Sequence, residues 1–331
     1  MKRKRERIML LSLLCLLLMP LLIGPRIGFT AEEKYPVKPI KFIVPFSAGG
    51  SADVICRKMC EVAQKSLGAE IIVENKPGGG GLVGASFLAN SKPDGYLIGM
   101  IGTSPFTTIP NFQKIDFDPL TAFVPIAQFT SSNEVIQVSA SSPVKTLKDF
   151  VEEGQKRQVT AATSGAFTHA HIAMQRFGMM AKINLKLVPF GGDSEAIGSI
   201  LGGQIDAGVL GGGSEYVRAG KVRMLARLNT EATGAVKEIP SLKDLGYDIE
   251  IVTGMGVFGP KGLPDAIKKT LEEGFAKAAR DPAVVETIGR IGNNAIYRNG
   301  KDYEAFLRLA NERSTREIKE LGLGIWSSQK K

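Results

Sequence analysis

Between residues 40 and 105 the chain cycles through short apolar runs, glycine-rich breaks and stretches with helical spacing. Phe42, Ile43 and Val44 read as a buried strand that Pro45 ends; Ala48-Gly49-Gly50 makes a loop, and Ser51 or Asp53 can cap a helix that runs to Gly68. The unit repeats with a strand at 70–75, a glycine loop at 76–81 and a shorter helix at 82–90, and a third strand follows at 96–102. Alternation of this kind predicts a parallel sheet whose carboxyl-end loops share a ligand crevice. The loops near 47–53, 78–84 and 103–107 are therefore expected at one mouth. A helix start leaves its first N–H groups unpaired at the positive end of the macrodipole, and glycines let an anion approach them, so the first loop is a candidate anion seat.

The same rhythm returns later. Strand patterns lie at 123–129 and 135–138, a helix signal at 147–153, a strand at 158–162, and a helix from 169 to 178 after the small polar loop Thr163-Ser164-Gly165. A strand at 185–189 opens the loop 190–194, a helix runs to Leu201, and a strand at 205–210 runs into the bare loop Gly211-Gly212-Gly213. Another strand is expected at 222–227, then helices at 265–279, 284–291 and 301–321, the last with an apolar stripe that suits packing across a sheet. Two sets of α/β units predict two lobes with a small-molecule cleft between them. Residues 32–132 plus 253–331 are expected to form domain 1 and residues 133–252 domain 2.

The N-terminus has five basic residues in its first seven positions, then an apolar run over residues 8–24, the form of a secretory signal. Cleavage is expected after Ala31. Residues 1–31 carry six of the 42 Lys and Arg but one of the 33 Asp and Glu, so the remainder has 36 basic against 32 acidic residues. The basic excess belongs mainly to the export segment, and no basic stripe with interleaved aromatics remains to bind nucleic acid. Cys56 and Cys60, four apart on the first helix, read as buried small hydrophobes, because a disulfide within one helical turn is awkward and no further ligand joins them as a metal site.

The segment 79–84 matches G-x-G-x-x-G after a strand, yet the following strand ends in Gly102-Thr103-Ser104 without the acidic residue that would hold a ribose, and no cofactor is implied. His169 and His171, the only histidines, meet a loop-to-helix junction without a third metal ligand or a nucleophile elbow around Ser164. Capping and polar lining of a cleft is the plainer reading of both.

In order along the chain, YPVKPIKFIVPFSAGGSADVICRKM, IIVENKPGGGGLVGASFLANSKPDGYLIGM, FDPLTAFVPIAQ, TSGAFTHAHIA, LVPFGGDSEAIGSILGGQIDAGV, GKVRMLA, IPSLKDLGY and GVFGPKGLP resemble the extracytoplasmic solute receptors of tripartite tricarboxylate transporters, the Bug-type periplasmic binding proteins. The resemblance implies an α/β fold like the type II periplasmic binding proteins: two domains joined by crossing strands, each a mostly parallel sheet flanked by helices. It implies a periplasmic receptor, not an enzyme, that closes on a small carboxylate and works with membrane transporter subunits, for which a monomer suffices.

Carried over, the first-loop motif falls on Pro45, Phe46, Gly49, Gly50 and Asp53, the second on Asn75, Pro77, Gly78, Gly80, Gly81 and Gly84, and the second-domain motifs on Ser164, Gly165, His171 and on residues 188–192. The candidate ligand-binding residues are thus Phe46, Ser47, Ala48, Gly49, Asp53, Gly79, Gly80, Gly81, Thr103 and Ser104, joined by Ser164, Thr168, His171, Phe190, Gly191 and Asp206 from the second domain. Asp53 is expected to orient donors, not to touch an anionic ligand. Phe190 and Gly191 stand where the family usually has tyrosine and lysine, Phe167 where glycine is common and Gly254 where tryptophan is frequent, which points to a bulkier or more apolar acid. The alternatives are an exported hydrolase using His171 with Ser164 or Thr168, and a ligand-sensing subunit for a membrane signalling protein.

Overall fold

The computed structural model describes residues 35–211, 214–229, 232 and 234–325. The expected signal segment with its cleavage point, and Gly212 and Gly213 of the bare loop, lie outside the described residues. In chain order the strands are β1 (Ile40–Val44), β2 (Ile71–Asn75), β3 (Leu97–Gly102), β4 (Phe123–Ser131), β5 (Glu134–Ser139), β6 (Val159–Thr163), β7 (Leu185–Pro189), β8 (Ala207–Gly211), β9 (Val222–Arg227), β10 (Met255–Pro260) and β11 (Asn294–Asn299). The principal helices are α1 (Ser51–Leu67), α2 (Leu82–Ala89), α3 (Leu147–Lys156), α4 (His169–Ala181), α5 (Asp193–Leu201), α6 (Asp265–Ala279), α7 (Pro282–Ile291) and α8 (Gly300–Glu320), with a single turn at Ser104–Thr107.

Two sheets result, one of six strands in the order β11-β4-β10-β3-β1-β2 and one of five in the order β7-β6-β8-β5-β9. Each is mixed, where mostly parallel sheets were expected. The βα units give the parallel pairs β1 with β2 and β3, and β6 with β7 and β8. The strands on the other side of each sheet, β10, β4 and β11 in the first and β5 and β9 in the second, pair antiparallel. The chain crosses from one sheet to the other after β4 and returns before β10, so strands next to the crossings meet their neighbours from the opposite direction.

The strand runs foreseen in the sequence are buried apolar stretches: Ile40, Phe42, Ile43 and Val44 are almost fully inside, as are Ile98, Met100 and Ile101 of β3. The second lobe closes on its own core, with Phe150, Val159, Met174, Phe177 and Val209 packed together. In the first lobe Phe106, Phe258 and Tyr303 do the same. Cys56 and Cys60 are free thiols buried on α1, and burial pushes both thiols up, so they act as the small core residues the sequence suggests.

The crossing itself is tied down by side-chain amides. The Asn133 N–H donates to Asn293 Oδ1 (3.1 Å), and its Nδ2 donates to the Gly292 carbonyl at 2.8 Å. On the returning segment, Asn229 Oδ1 accepts the Glu134 N–H (2.9 Å), and Thr253 Oγ1 donates to the Ser132 carbonyl (2.9 Å). These bonds satisfy backbone groups that would otherwise be buried without a partner where the sheets end.

Candidate functional site

A cavity with about 620 Å³ of empty space opens between the two sheets. From the first lobe it is lined by Phe46, Gly50, Ser51 and Ala52, by Gly102, Thr103 and Ser104, and by Gly254 and Met255; from the second by Glu134, Ser164, Thr168, His169, Ala170, Asp193 and Gly211, with Ser132 and Thr253 at the crossings. Carboxyl ends of β3 and β8 and the starts of α1 and α4 thus converge, the arrangement that parallel βα units impose.

The start of α1 is shaped by Asp53. Gly50 occupies the capping position with an extended backbone and no side-chain cap. Asp53, in the first turn, reaches back instead: its Oδ2 accepts the Gly49 N–H and the Arg57 Nε–H, each at 2.9 Å, and its Oδ1 accepts from Asn75 Nδ2 at 2.8 Å. Asn75 also donates to the Phe46 carbonyl (3.0 Å), so one buried carboxylate and one amide hold the whole loop. Burial alone would raise the Asp53 pKa, but the bonds from Arg57, Gly49 and Asn75 outweigh it and hold the carboxyl below its usual range. Asp53 sits behind the loop and off the cavity wall.

The start of α4 comes from the second lobe. Thr168 caps it, its Oγ1 accepting the His171 N–H at 3.3 Å. His169 then projects across the cleft, with Nδ1 2.8 Å from Ser104 Oγ and Nε2 2.9 Å from Thr107 Oγ1. Burial pulls the His169 pKa down to about 4, so the ring is neutral, and one hydroxyl donates to it while the other accepts. A hydroxyl on both ring nitrogens leaves no carboxylate to orient this histidine as a catalytic base.

The rim carries further bonds between lobes. Ser47 N–H donates to the Gly191 carbonyl (3.3 Å), Ser47 Oγ donates to Glu195, and Ser194 Oγ donates to the Ala48 carbonyl (3.0 Å). Thr108 Oγ1 donates to the Phe167 carbonyl (2.7 Å), and Phe167 stacks on Phe112 with centroids 5.1 Å apart. Arg176 on α4 pairs with Glu317 on α8. Phe167 is held at φ 57°, the left-handed region, which accounts for a position where glycine is the easier residue. A Cβ on Gly165 would collide with the Gly80 Cα, so bare backbone of one lobe lies against bare backbone of the other.

Of the residues singled out in the sequence, Phe46, Thr103, Ser104, Ser164 and Thr168 line the cavity. Gly49 lines an adjoining one, which shares Gly50, Ser51, Asp193 and Gly211 with the first. Ser47, Ala48 and Gly191 make the rim contacts above. Gly79, Gly80 and Gly81 are off the wall, because the second loop is pressed against residues 165–168 of the other lobe. His171 is off it too: neighbours two apart on a helix point about 200° apart, so only His169 can face the cleft, and His171 bonds Thr163 Oγ1 at 3.1 Å. Phe190 is turned into the second lobe's core beside Ala196 and Ile197. Asp206 lies at the far, amino-terminal end of β8, paired with Arg157 (2.8 Å) and bonded to Thr160.

The sequence reading assigned no role to Glu134 or Asp193, and it read His169 as cap or cleft lining without placing it among the candidate ligand-binding residues. Asp193, the first residue of α5, accepts a hydrogen bond from the Ser51 hydroxyl through Oδ2. Glu134 opens β5 directly after the crossing. Burial raises both carboxyl pKa values, and the neighbouring Asp193 charge adds to the rise at Glu134. An acid opening a strand whose Val135, Ile136 and Val138 are apolar was the available signal for Glu134.

Two α/β lobes around a polar cleft fit the fold of the two-domain solute-binding proteins. The chain belongs to the tripartite tricarboxylate transporter family receptors, whose family model matches residues 55–323. These are periplasmic solute-binding receptors and not enzymes. A protein encoded in the gbd 5′ region of Cupriavidus necator is 29% identical over 294 residues, 88% of this chain and 90% of that one. The solved structure of the periplasmic binding protein BugD is 26% identical with a TM-score of 0.83, covering 88% of this chain and 99% of its own. The malate-bound MatC protein of Rhodopseudomonas palustris, 22% identical with a TM-score of 0.79 over 85% of this chain and 99% of its own, shares the fold. Among the described residues no helix is long and apolar enough to cross a membrane.

Proposed function

We propose that this protein captures a small organic carboxylate in the cleft between its lobes by hinge closure and delivers it, in the periplasm, to the membrane subunits of a tripartite transporter. The observation that carries this reading is that the N-termini of α1 and α4, which belong to different lobes, face the same cavity. Each end carries a partial positive charge, and although the His169 and His171 N–H groups of α4 already donate to Ser104 Oγ and Thr168 Oγ1, an anion between the two ends is attracted by both dipoles and ties the lobes together. A ligand that bridges the lobes favours whichever arrangement brings them into contact, and the cross-lobe bonds at Ser47, Ser194 and Thr108 are contacts that such closure would make.

The test is native mass spectrometry of protein purified without refolding, followed by thermal shift with mono-, di- and tricarboxylates. A retained carboxylic acid, or a melting temperature raised by such acids in proportion to their concentration, is expected. Stoichiometric binding of a solute that lacks any carboxylate would overturn the reading.

A further inference from the structure

The cleft carries a charge pattern that a plain anion seat does not need. The loop before α1 was the expected anion seat, yet the hydroxyl of Ser51, the first residue of that helix, already donates to the carboxylate of Asp193. Glu134 lies on the same wall. Oε2 of Glu134 is buried and accepts no hydrogen bond among the described residues; the Asp193 carboxyl, whose Oδ1 is likewise left without a partner, is met only by neutral donors, the Ser51 and Ser164 hydroxyls and the Gly211 N–H. No lysine or arginine is among the described residues that line the cavity, and His169 is occupied by Ser104 and Thr107.

The two carboxyls also converge. A Cβ placed on Gly211 would lie 3.5 Å from Asp193 Oδ2, 3.5 Å from Ser51 Oγ and 3.6 Å from Glu134 Oε1. Two acids and a hydroxyl therefore surround one point on the wall, and the glycine leaves that point clear of side chain. Buried carboxylates are kept where something pairs with them, and a group with several N–H donors and a positive charge is the complement of acceptor-only oxygens.

We propose that Glu134 and Asp193 form a subsite for a cationic ligand group, an ammonium, so that the solute is an amino-carboxylate and not a plain di- or tricarboxylate. The proposal rests on the carboxylate-receptor reading above. The ammonium sits against Gly211 between the two acids. The carboxylate of the same molecule goes to the start of α4, where Thr168, His169 and Ala170 line the cavity.

The experiment is thermal shift and calorimetry with three matched series of four to six carbons: α,ω-dicarboxylates, ω-amino acids and α,ω-diamines. At least one amino acid is expected to bind about tenfold or more tightly than the dicarboxylate of its length, as a charge-assisted pair requires. Glu134→Gln should reduce that preference about tenfold without loss of folding, and Gly211→Ala, whose methyl occupies the convergence point at ordinary contact distance, should abolish it. Dicarboxylates binding as well as or better than amino acids would overturn the ammonium subsite and leave the carboxylate reading standing. Diamines alone binding, or no member of any series binding, would overturn both.

Discussion

Asp53 and Asp193 occupy the same kind of place, the first turn of a helix that begins at the cleft, and they end in opposite states. Asp53 turns away from the cavity onto Arg57, Asn75 and the Gly49 N–H, and its pKa falls. Asp193 turns toward the cavity, meets Ser51 and Glu134, and its pKa rises. A helix dipole favours an acid at either position. What separates them is burial and a cation: Asp53 has the Arg57 guanidinium among its three donors, while the Asp193 carboxyl is more deeply buried and receives its bonds from neutral groups, the Ser51 and Ser164 hydroxyls and the Gly211 N–H. Placement in secondary structure is thus a poor guide to charge state, which burial and the charge of the partners decide.

The comparison can be broken most strongly at Asp53. Asp53→Ala leaves the Gly49 N–H, Asn75 and Arg57 without their acceptor and should cost about 3 kcal/mol in denaturant unfolding, somewhat less if Arg57, half-exposed, recovers water. Because its folded pKa is depressed, the contribution is full above the ordinary carboxylate range near pH ~4 and is lost as pH falls through the folded value, so the variant and the parent should converge in acid. A variant equally destabilised at low pH would show that packing, not charge, is what Asp53 supplies.

The next effect is mechanical. Gly165→Ala places a methyl against Gly80 and forces an alanine to φ 132°, so the lobes should no longer meet and solute affinity should fall about tenfold or more, equivalent to about 1.4 kcal/mol. Binding curves that are unchanged would mean that the two lobes can engage ligand without this contact.

The smallest effect lies at Glu134 and has the opposite pH sign to Asp53. A carboxyl whose folded pKa is raised binds protons more readily when folded, so it loses stability as pH rises from the ordinary carboxylate range toward neutrality and beyond. Glu134→Gln should therefore raise the stability of the ligand-free protein by about 1 kcal/mol at pH ~8 and by little in acid. A thermal-shift series across pH with parallel curves for variant and parent would show that Glu134 is not strained in the folded protein.

Much of this architecture is written in local pattern. The βα units are legible because apolar strands such as residues 42–44 are bounded by proline and glycine, and the first and third loops do meet at the cavity through Phe46, Thr103 and Ser104. The strands β10 and β11 are not legible in that way. Met255–Pro260 is half glycine and proline although all six residues are buried, and Asn294–Asn299 is a polar edge. Both exist because the chain returns from the second lobe, a long-range fact that no window contains. The same limit explains Asp206 and Glu134. Asp206 looked like a cleft residue by motif but precedes its strand, the end opposite the crevice, while Glu134 gains its place from the crossing beside it. His169 and His171 differ only in helical phase, which the junction alone does not fix.

Glu134 and Asp193 belong to one lobe, on β5 and α5, while Ser51 and its helix belong to the other. An ammonium-bearing solute would therefore find both of its counter-charges before the lobes meet. Capture becomes a sequence of two events, a salt-sensitive landing on the second lobe followed by a slower clasp from the first, with arrival governed by one half of the molecule and residence time by the other.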